Sequence, residues 1–335
     1  MKKIYVGIDI SKEKCNLCYR SGLDIVREEE CPNDVNALKK TFKAALKVLG
    51  ASLEDVLVCA EYTGRYIYPL TVACQELGIF LWMDDPTRIK NSMGLTRGKN
   101  DAIDAARIAE YAYRYSDKAI RYHIPDAALV SMKNLLADRE FLLIDKKRYQ
   151  SQLSDQKRYM APGDFKHKNS RWKKVIKSID EQIAAIDAEI ESLIAADPVL
   201  THQKELLVSI DGIGDRIAIN MIAITGGFTR FQNARQFCRF AGLTPYKYDS
   251  GTSVRSKAKI SKRANQTMKA LLHLAAVSAA THMKNSEYKE YYERKTKEGK
   301  HVMCVLNVIR AKLVHRMFSV IKRNTEYTKE YKPAC

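Results

Sequence analysis

The sequence predicts an α/β domain joined to a mostly helical remainder. Three observations carry this. Strand-like and helix-like runs follow one another as β-β-β-α-β-α-β-α over residues 1–125, an order that gives a mixed sheet flanked by helices. Residues 126–200 then lose every strand signal and take up the spacing of paired helices. Residues 201–335 continue as helices, interrupted by a Gly-Ile-Gly turn and a basic loop. A chain of 335 residues is long enough for these three regions.

The first strand is the apolar run "KIYVGIDI" (3–10), and "CNLCYRS" and "DIVREEE" follow it at hairpin spacing. "DVNALKKTFKAALKVLG" (34–50) has the periodicity of an amphipathic helix, with Asn33 or Asp34 as cap and Gly50 as stop. "DVLVCAEYTG" is a buried strand, "RYIYPLTVACQELG" a helix distorted by Pro69, "IFLWMD" a further strand and "DPTRIKNSMGLTRGK" (85–99) a loop. A helix opens in "KNDAIDAARI" (99–108), with Ile103, Ala106, Ala109 and Ala112 as its apolar stripe.

In the next region Ile179, Ile183, Ile186, Ile190 and Leu193 repeat at four-three spacing, a coiled-coil seam. Leu135, Leu142 and Tyr149 recur every seven residues, so two helices pair as an antiparallel hairpin or meet the same segment of another subunit. Between them, residues 156–177 hold eight Lys/Arg and one acid, Asp164. Arg171, Lys173 and Lys174, with Trp172 and Tyr159 interleaved, suit contact with a nucleic-acid backbone.

Charge narrows the function. Fifty-seven Lys and Arg against 39 Asp and Glu leave +18, which points to a polyanion such as DNA or RNA. No apolar run is long enough to span a membrane, and the N-terminal segment reads as a strand rather than a signal peptide, so the expected location is cytoplasmic. The lone C-x-x-C of Cys15 and Cys18 lacks a second ligand pair and, on a strand, points to both faces. Zinc is therefore not expected.

Four carboxylates stand out. Asp9 interrupts an apolar strand, where burial without a partner is expensive, and Glu61 ends another. Asp101 and Asp104 are neighbours on one helix face. Acids in a first turn also favour the helix dipole, so the pair alone is not diagnostic. Four converging carboxylates need a cation, and oxygen-only ligands suit Mg²⁺ or Mn²⁺, which can activate a nucleophile and stabilise a leaving oxygen on a phosphodiester. The element order resembles the RNase H-like (RuvC-like) fold of Holliday-junction resolvases, which has an Asp on strand one, a Glu on strand four and two acids on a late helix. "VGIDIS" also resembles the first phosphate loop of actin-like ATPases and sugar kinases, but Ser11 stands where that loop has Gly and no second Gly-rich loop follows.

In the last region, "LLVSIDGIGDRIAINMIAI" (206–224) has the pattern of a helix-hairpin-helix, in which Gly212 and Gly214 let backbone N–H groups approach a phosphate. From Ser250 to Ser286 there are seven Lys/Arg and no acid. A serine in that field could attack a phosphodiester, with Ser250, Ser253, Ser256 and Ser261 ranking nearly equal on residues alone.

"VGIDISK", "CAEYTG", "KNDAIDAARIAEYA", "IDGIGDRIA", "FCRFAGLTPYKYDSG" and "ISKRANQTMKALLHLAA" together resemble transposases of the insertion-sequence-110 family, which includes the Piv-type DNA invertases. The family often has Thr where Asn100 stands. The resemblance implies a DEDD metal tetrad on Asp9, Glu61, Asp101 and Asp104, and a nucleophilic serine on Ser250. It implies homo-oligomers (dimer or tetramer) with a site shared between subunits; the cations that follow Ser250 make Arg255, Lys262 and Arg263 the candidate phosphate clamps. It further implies a bridge RNA, encoded by the element, that pairs with target and donor DNA. Two other classes fit the residues less well: a junction-resolving metal nuclease that uses water, and a non-catalytic nucleic-acid-binding scaffold.

Overall fold

The structure, a computed structural model, describes residues 3–92, 100–124, 126–246, 249–250, 254–255, 259–260, 264–283 and 286–328. It divides into two compact units, Met1–Ile124 and Pro125–Cys335.

The first unit is built on strands β1 (Ile4–Ile10), β2 (Lys14–Ser21) and β3 (Asp24–Pro32), helix α1 (Val35–Leu49), strand β4 (Val56–Glu61), helix α2 (Tyr68–Leu77), strand β5 (Phe80–Asp84) and helices α3 (Pro86–Ser92) and α4 (Asp101–Arg114). The sheet order is β3-β2-β1-β4-β5. The β1-β2-β3 meander is antiparallel, whereas β4 lies parallel to β1 and β5 parallel to β4. This is the mixed sheet that the element order predicts.

Side-chain alternation divides the sheet between two cores. Ile4, Val6, Ile8 and Ile10 face α1 and α2, where Leu38, Phe42, Leu46, Leu70 and Ala73 close a buried cluster. Tyr5, Leu57, Cys59 and Trp82 face the other way, onto Ile108, Tyr111 and Ala112 of α4. Cys15 and Cys18 divide between the two faces as their spacing requires, and burial pushes their thiols up to about 12 and about 11.

The α1 termini follow the local code. The Asp34 carboxylate accepts from the amides of Asn36 and Ala37, and Gly50 takes the left-handed conformation (φ +64) that ends the helix. Three expectations change. Pro69 does not distort a long helix; α2 starts at Tyr68, after a 3₁₀ turn over Gly64–Ile67, and Pro69 sits where its missing N–H costs nothing. The segment read as a loop after β5 contains α3, while its residues 93–99 lie outside the described ones. The buried face of α4 is Ala105, Ile108, Ala109 and Ala112 with Tyr111; Ile103 is exposed and Ala106 only partly buried.

That shift has a steric cause. α4 lies against β1 at Gly7, so closely that a Cβ there would stand 2.0 Å from the Ala109 amide nitrogen and 2.3 Å from the Ala105 carbonyl oxygen. Only small residues fit on the helix side of such an approach, and Ala105 and Ala109 supply them, together with Cys18 on β2 beside Gly7.

The second unit begins with α5 (Ala127–Gln156) and α6 (Pro162–Ala195). They run antiparallel: Arg139 donates to Asp187 through Nε and Nη2 at 2.6 and 3.1 Å, Lys146 pairs with Asp180, and the Tyr149 and Trp172 rings meet edge-on at 4.5 Å. The helical hairpin is therefore formed within the chain, with Ile179, Ile183 and Ile190 buried. Its base does not stand apart from the rest. Leu129, Met132, Ile190 and Ile194 share one core with Leu207, Ile222, Phe237, Leu272 and Leu313, so residues 126–200 and 201–335, read separately from sequence, belong to one unit.

The later elements are α7 (Pro198–Val208), α8 (Asp215–Thr225), α9 (Ala234–Phe240), β6 (Pro245–Tyr246), β7 (Asp249–Ser250), β8 (Val254–Arg255), β9 (Lys259–Ile260), α10 (Gln266–Thr281), α11 (Glu287–Lys297) and α12 (Val302–Arg323). Among the described residues no helix is long and apolar enough to cross a membrane.

The Gly7 contact makes a direct prediction. Gly7→Ala is expected to lose about 3 kcal/mol or more in urea unfolding, because backbone must move. Gly22→Ala, at a left-handed turn (φ +65) with open space around it, is expected to cost only about 1 kcal/mol. Equal losses would show that α4 does not press on β1 in solution.

A candidate carboxylate site at the sheet edge

Register carries the site. Ile8 pairs with Ala60, and Glu61 pairs with Asp84, so Asp9, Glu61 and Asp84 follow one another across β1, β4 and β5 at their C-terminal ends. Neighbouring strands are about 4.8 Å apart, which keeps these carboxylates within each other's field. By alternation all three lie on the face that α4 covers.

The direction of α4 supplies the next acid. The Tyr5 and Tyr113 rings meet at 5.3 Å, and Ala105 and Ala109 cover Gly7, so α4 runs antiparallel to β1. Its first turn, with Asp101 and Asp104, therefore points to the Asp9 end of the strand. Asn100 caps that turn, accepting from the Ala102 amide at 3.2 Å.

The electrostatics report the convergence. Burial first, then the charges of Asp9, Asp104 and Asp85, hold the Glu61 carboxyl above its ordinary pKa. Asp104 also accepts from Arg107 Nη1 at 2.9 Å. Asp101 is exposed and faces Lys14: a hydrogen bond from Lys14 to Glu30 and the charge of Glu30, with a smaller contribution from Asp101, raise the Lys14 pKa. The structure thus gathers Asp9, Glu61 and Asp104, with Asp101 at the rim.

The expected four-carboxylate cage is not closed. Among the described residues no three His, Cys, Asp or Glu side chains form a group ready to hold a metal ion. Like charges in one another's field favour such spacing, and Arg107 holds Asp104. The donor set still fits a hard divalent cation: all oxygen, partly buried, with the Glu61 carboxyl pKa raised by burial and by its acidic neighbours.

Asp84 was not singled out by sequence reasoning. It is buried, accepts from the Tyr111 hydroxyl at 2.8 Å and from the Asp85 amide at 2.8 Å, and pairs with Arg88 at 3.2 Å. With its oxygens so engaged, it ties β5 to α4 and α3. The available signal was the one used for Glu61, an acid ending an apolar strand.

In the second unit, Gly212 adopts φ +89 and a Cβ there would stand 3.1 Å from the Ala279 Cβ, so the residue serves a left-handed turn and close packing on α10. Gly214 caps α8 with open space around it, but the neighbouring Asp215, ion-paired to Lys204 at 3.1 Å, puts a negative charge where an anion would approach. Ser250 is not in a loop. It belongs to β7, which pairs with β8 (Asp249 with Arg255, Ser250 with Val254), while β6 pairs with β9 (Pro245 with Ile260). The two ladders nest, placing Ser250 and Arg255 towards the end of a hairpin. Lys262 and Arg263 lie outside the described residues. Arg171, Lys173 and Lys174 are exposed on α6 rather than on a loop, and Trp172 between them packs on Tyr149 with Lys168 over its ring at 5.2 Å.

Residues 6–156 match a transposase family of the DEDD, IS110 type, and residues 204–293 match the transposase IS116/IS110/IS902 family. The pilin gene-inverting protein of Moraxella bovis is 24% identical over 335 residues, covering 98% of this chain and 99% of that protein. The insertion element IS110 protein of Streptomyces coelicolor is 28% identical over 151 residues, 45% of this chain and 35% of that protein. Among solved structures, T. thermophilus RuvC in complex with a Holliday junction substrate is 14% identical and covers 36% of this chain and 99% of its own, at a TM-score of 0.28. The fold described above stands on strand order and register alone.

The raised Glu61 pKa gives a signed prediction. The stability linked to its neutral form is complete below the ordinary carboxylate range and is lost as pH rises through the raised value. Glu61→Gln is therefore expected to raise the melting temperature in chelator at about pH 7 and to leave it unchanged below about pH 4. A lower melting temperature for the variant at neutral pH would mean that cations, not carboxylates, dominate the Glu61 environment.

Proposed function

The chain belongs to the IS110 family of transposases, and on that premise we propose that it cuts and rejoins DNA through a covalent serine link, guided by RNA. The observation that carries the reading is the convergence of Asp9, Glu61 and Asp104 at one sheet edge.

Asp9, Glu61 and Asp104, with Asp101 from the rim, would hold Mg²⁺ or Mn²⁺. Bound there, the cation supplies neutralisation of the phosphoryl oxygens and a lower pKa for an attacking hydroxyl. Arg107 donates to Asp104 Oδ1 and so would orient that carboxylate towards the cation.

Ser250 supplies the nucleophile. Its Oγ forms a bond to phosphorus as the bond from phosphorus to the 3′ oxygen breaks, and the hydroxyl proton passes through solvent to the departing 3′ oxygen. The resulting 5′-phosphoserine keeps the energy of the phosphodiester, so an incoming 3′ hydroxyl can reverse the step on a new strand without a high-energy cofactor. Support comes from the hairpin that carries Ser250 and from its basic surroundings, in which Arg255, Lys262 and Arg263 would steady the phosphate.

Target and donor DNA are the substrates in this reading, and base pairing with an element-encoded bridge RNA reads their sequence. A protein that delegates sequence to pairing needs shape and backbone contacts, which the +18 charge and the exposed Arg171, Lys173 and Lys174 favour. Homo-oligomers, dimer or tetramer, complete the assembly, since exchange needs two cut duplexes held together.

The test is a covalent trap. The protein is incubated with the element-derived RNA, labelled target and donor DNA and Mg²⁺, then denatured. Label attached to protein, and lost in both Ser250→Ala and Asp101→Ala, is the expected result. Free cleaved DNA that is unchanged by Ser250→Ala would identify a nuclease that uses water and overturn the serine mechanism.

A further inference from the structure

Directly after Glu61 the chain reads Tyr62-Thr63-Gly64-Arg65-Tyr66-Ile67-Tyr68. Ile67 is buried, whereas Tyr62, Tyr66 and Tyr68 are 48%, 39% and 62% exposed. Five tyrosines among the described residues are exposed to this degree, and three of them are in this one stretch. Arg65 is exposed with them. Among the described residues their phenol oxygens have no hydrogen-bond partner, so neither burial nor hydrogen bonding within the protein accounts for them.

The stretch is fixed to the carboxylate edge. The Tyr62 amide donates to the Asp84 carbonyl at 3.0 Å. Asn33 Nδ2 donates to the Tyr66 carbonyl at 3.0 Å and to the Ser11 carbonyl, two residues past Asp9, at 2.9 Å. Gly64 turns the backbone through φ +82 between the first tyrosine and the others. The rings therefore stand on an anchored backbone beside Asp9 and Glu61. Across the edge, Ile103 on the first turn of α4, between Asp101 and Asp104, is 43% exposed.

We propose that Tyr62, Tyr66 and Tyr68 form a stacking platform for unpaired bases of the DNA strand whose phosphate enters the carboxylate site. The inference rests on the function proposed above and adds the state of the substrate: the strand is unstacked where it is cut. Every base has a flat π-face, so tyrosine stacking tolerates any sequence, as an enzyme guided by pairing elsewhere requires. Arg65 gives the platform a backbone contact. The exposed Ile103 suits an apolar wedge against a base step. A protein partner for the same rings would call for an apolar groove with a charged-residue-poor centre, whereas here the rings border a row of carboxylates.

The test uses the full chain with a fluorescein-labelled oligothymidine, the matching duplex, and an oligothymidine carrying 5-iodouracil for photocrosslinking, all in chelator. Each of Tyr62→Ala, Tyr66→Ala and Tyr68→Ala is expected to weaken single-strand binding roughly tenfold and duplex binding less than about twofold. Tyr→Phe at the same positions is expected to retain affinity, and the iodouracil crosslink is expected to map to residues 62–68. Circular dichroism melting checks that each exposed substitution leaves the fold unchanged. Crosslinks that map elsewhere, Ala variants that bind the single strand as wild type does, or equal loss on single strand and duplex would each overturn the platform. Wild-type covalent trapping separates the two proposals: adduct without a crosslink at 62–68 refutes the platform alone, and the crosslink without adduct refutes the serine mechanism alone.

Discussion

The contact between Gly7 and the Ala105–Ala109 turn of α4 is the constraint on which the rest of the first unit depends. A strand and a helix usually keep side chains between them; here the backbones touch, and a Cβ at Gly7 would overlap the Ala109 amide. Everything on that face is set by it. The helix direction is fixed by Tyr113 over Tyr5 at one end, and the first turn is consequently delivered to Asp9 at the other. The Asp84 bond to Tyr111 and the stacking of Trp82 on Tyr111 at 4.9 Å hold the same helix against β5. A helix placed this tightly puts a carboxylate pair where strand-end acids already stand.

The cost of that arrangement is electrostatic. Glu61 is partly buried and sits among Asp9, Asp104 and Asp85, and burial first, then those charges, make it harder to ionise. The neighbouring cations are tied to particular acids: Lys14 pairs with Glu30, Arg88 with Asp84, and Arg107 with Asp104. The result is a negative edge on a chain whose total charge is +18. The two signs do different jobs. Distributed positive charge favours a polyanion over the surface, and a local concentration of oxygen ligands favours a hard cation where one phosphate is to react.

Most strands and helix ends were legible because their signals are local. Asp34 and Gly50 mark α1 by cap chemistry, and the alternation of β1 marks Asp9 as a misfit in an apolar run. Glu61 was legible for the same reason. What could not be read depended on partners distant in sequence. The buried face of α4 is displaced because Gly7, almost a hundred residues earlier, removes the side chain that would have kept the helix away. Residues 126–200 look self-contained in sequence, but Leu129, Met132, Ile190 and Ile194 pack into a core completed by α7 to α12. Ser250 looked like a loop serine because ladders of two residues are too short to leave an alternating pattern. Gly212 carried a pattern compatible with phosphate binding, yet packing on Ala279 accounts for it.

The central claim is that α4 brings Asp104 to Asp9 and Glu61 to make a cation site. Mn²⁺ titration of the full chain, followed by electron paramagnetic resonance, tests it without DNA, RNA or turnover. We predict saturable binding in the wild type that weakens by more than about tenfold in Asp104→Asn and is unchanged in Asp55→Asn, a substitution at an acid bonded to Ser52 instead. Binding in Asp104→Asn equal to that of the wild type would contradict the claim, because the helix would then contribute no ligand to the sheet edge.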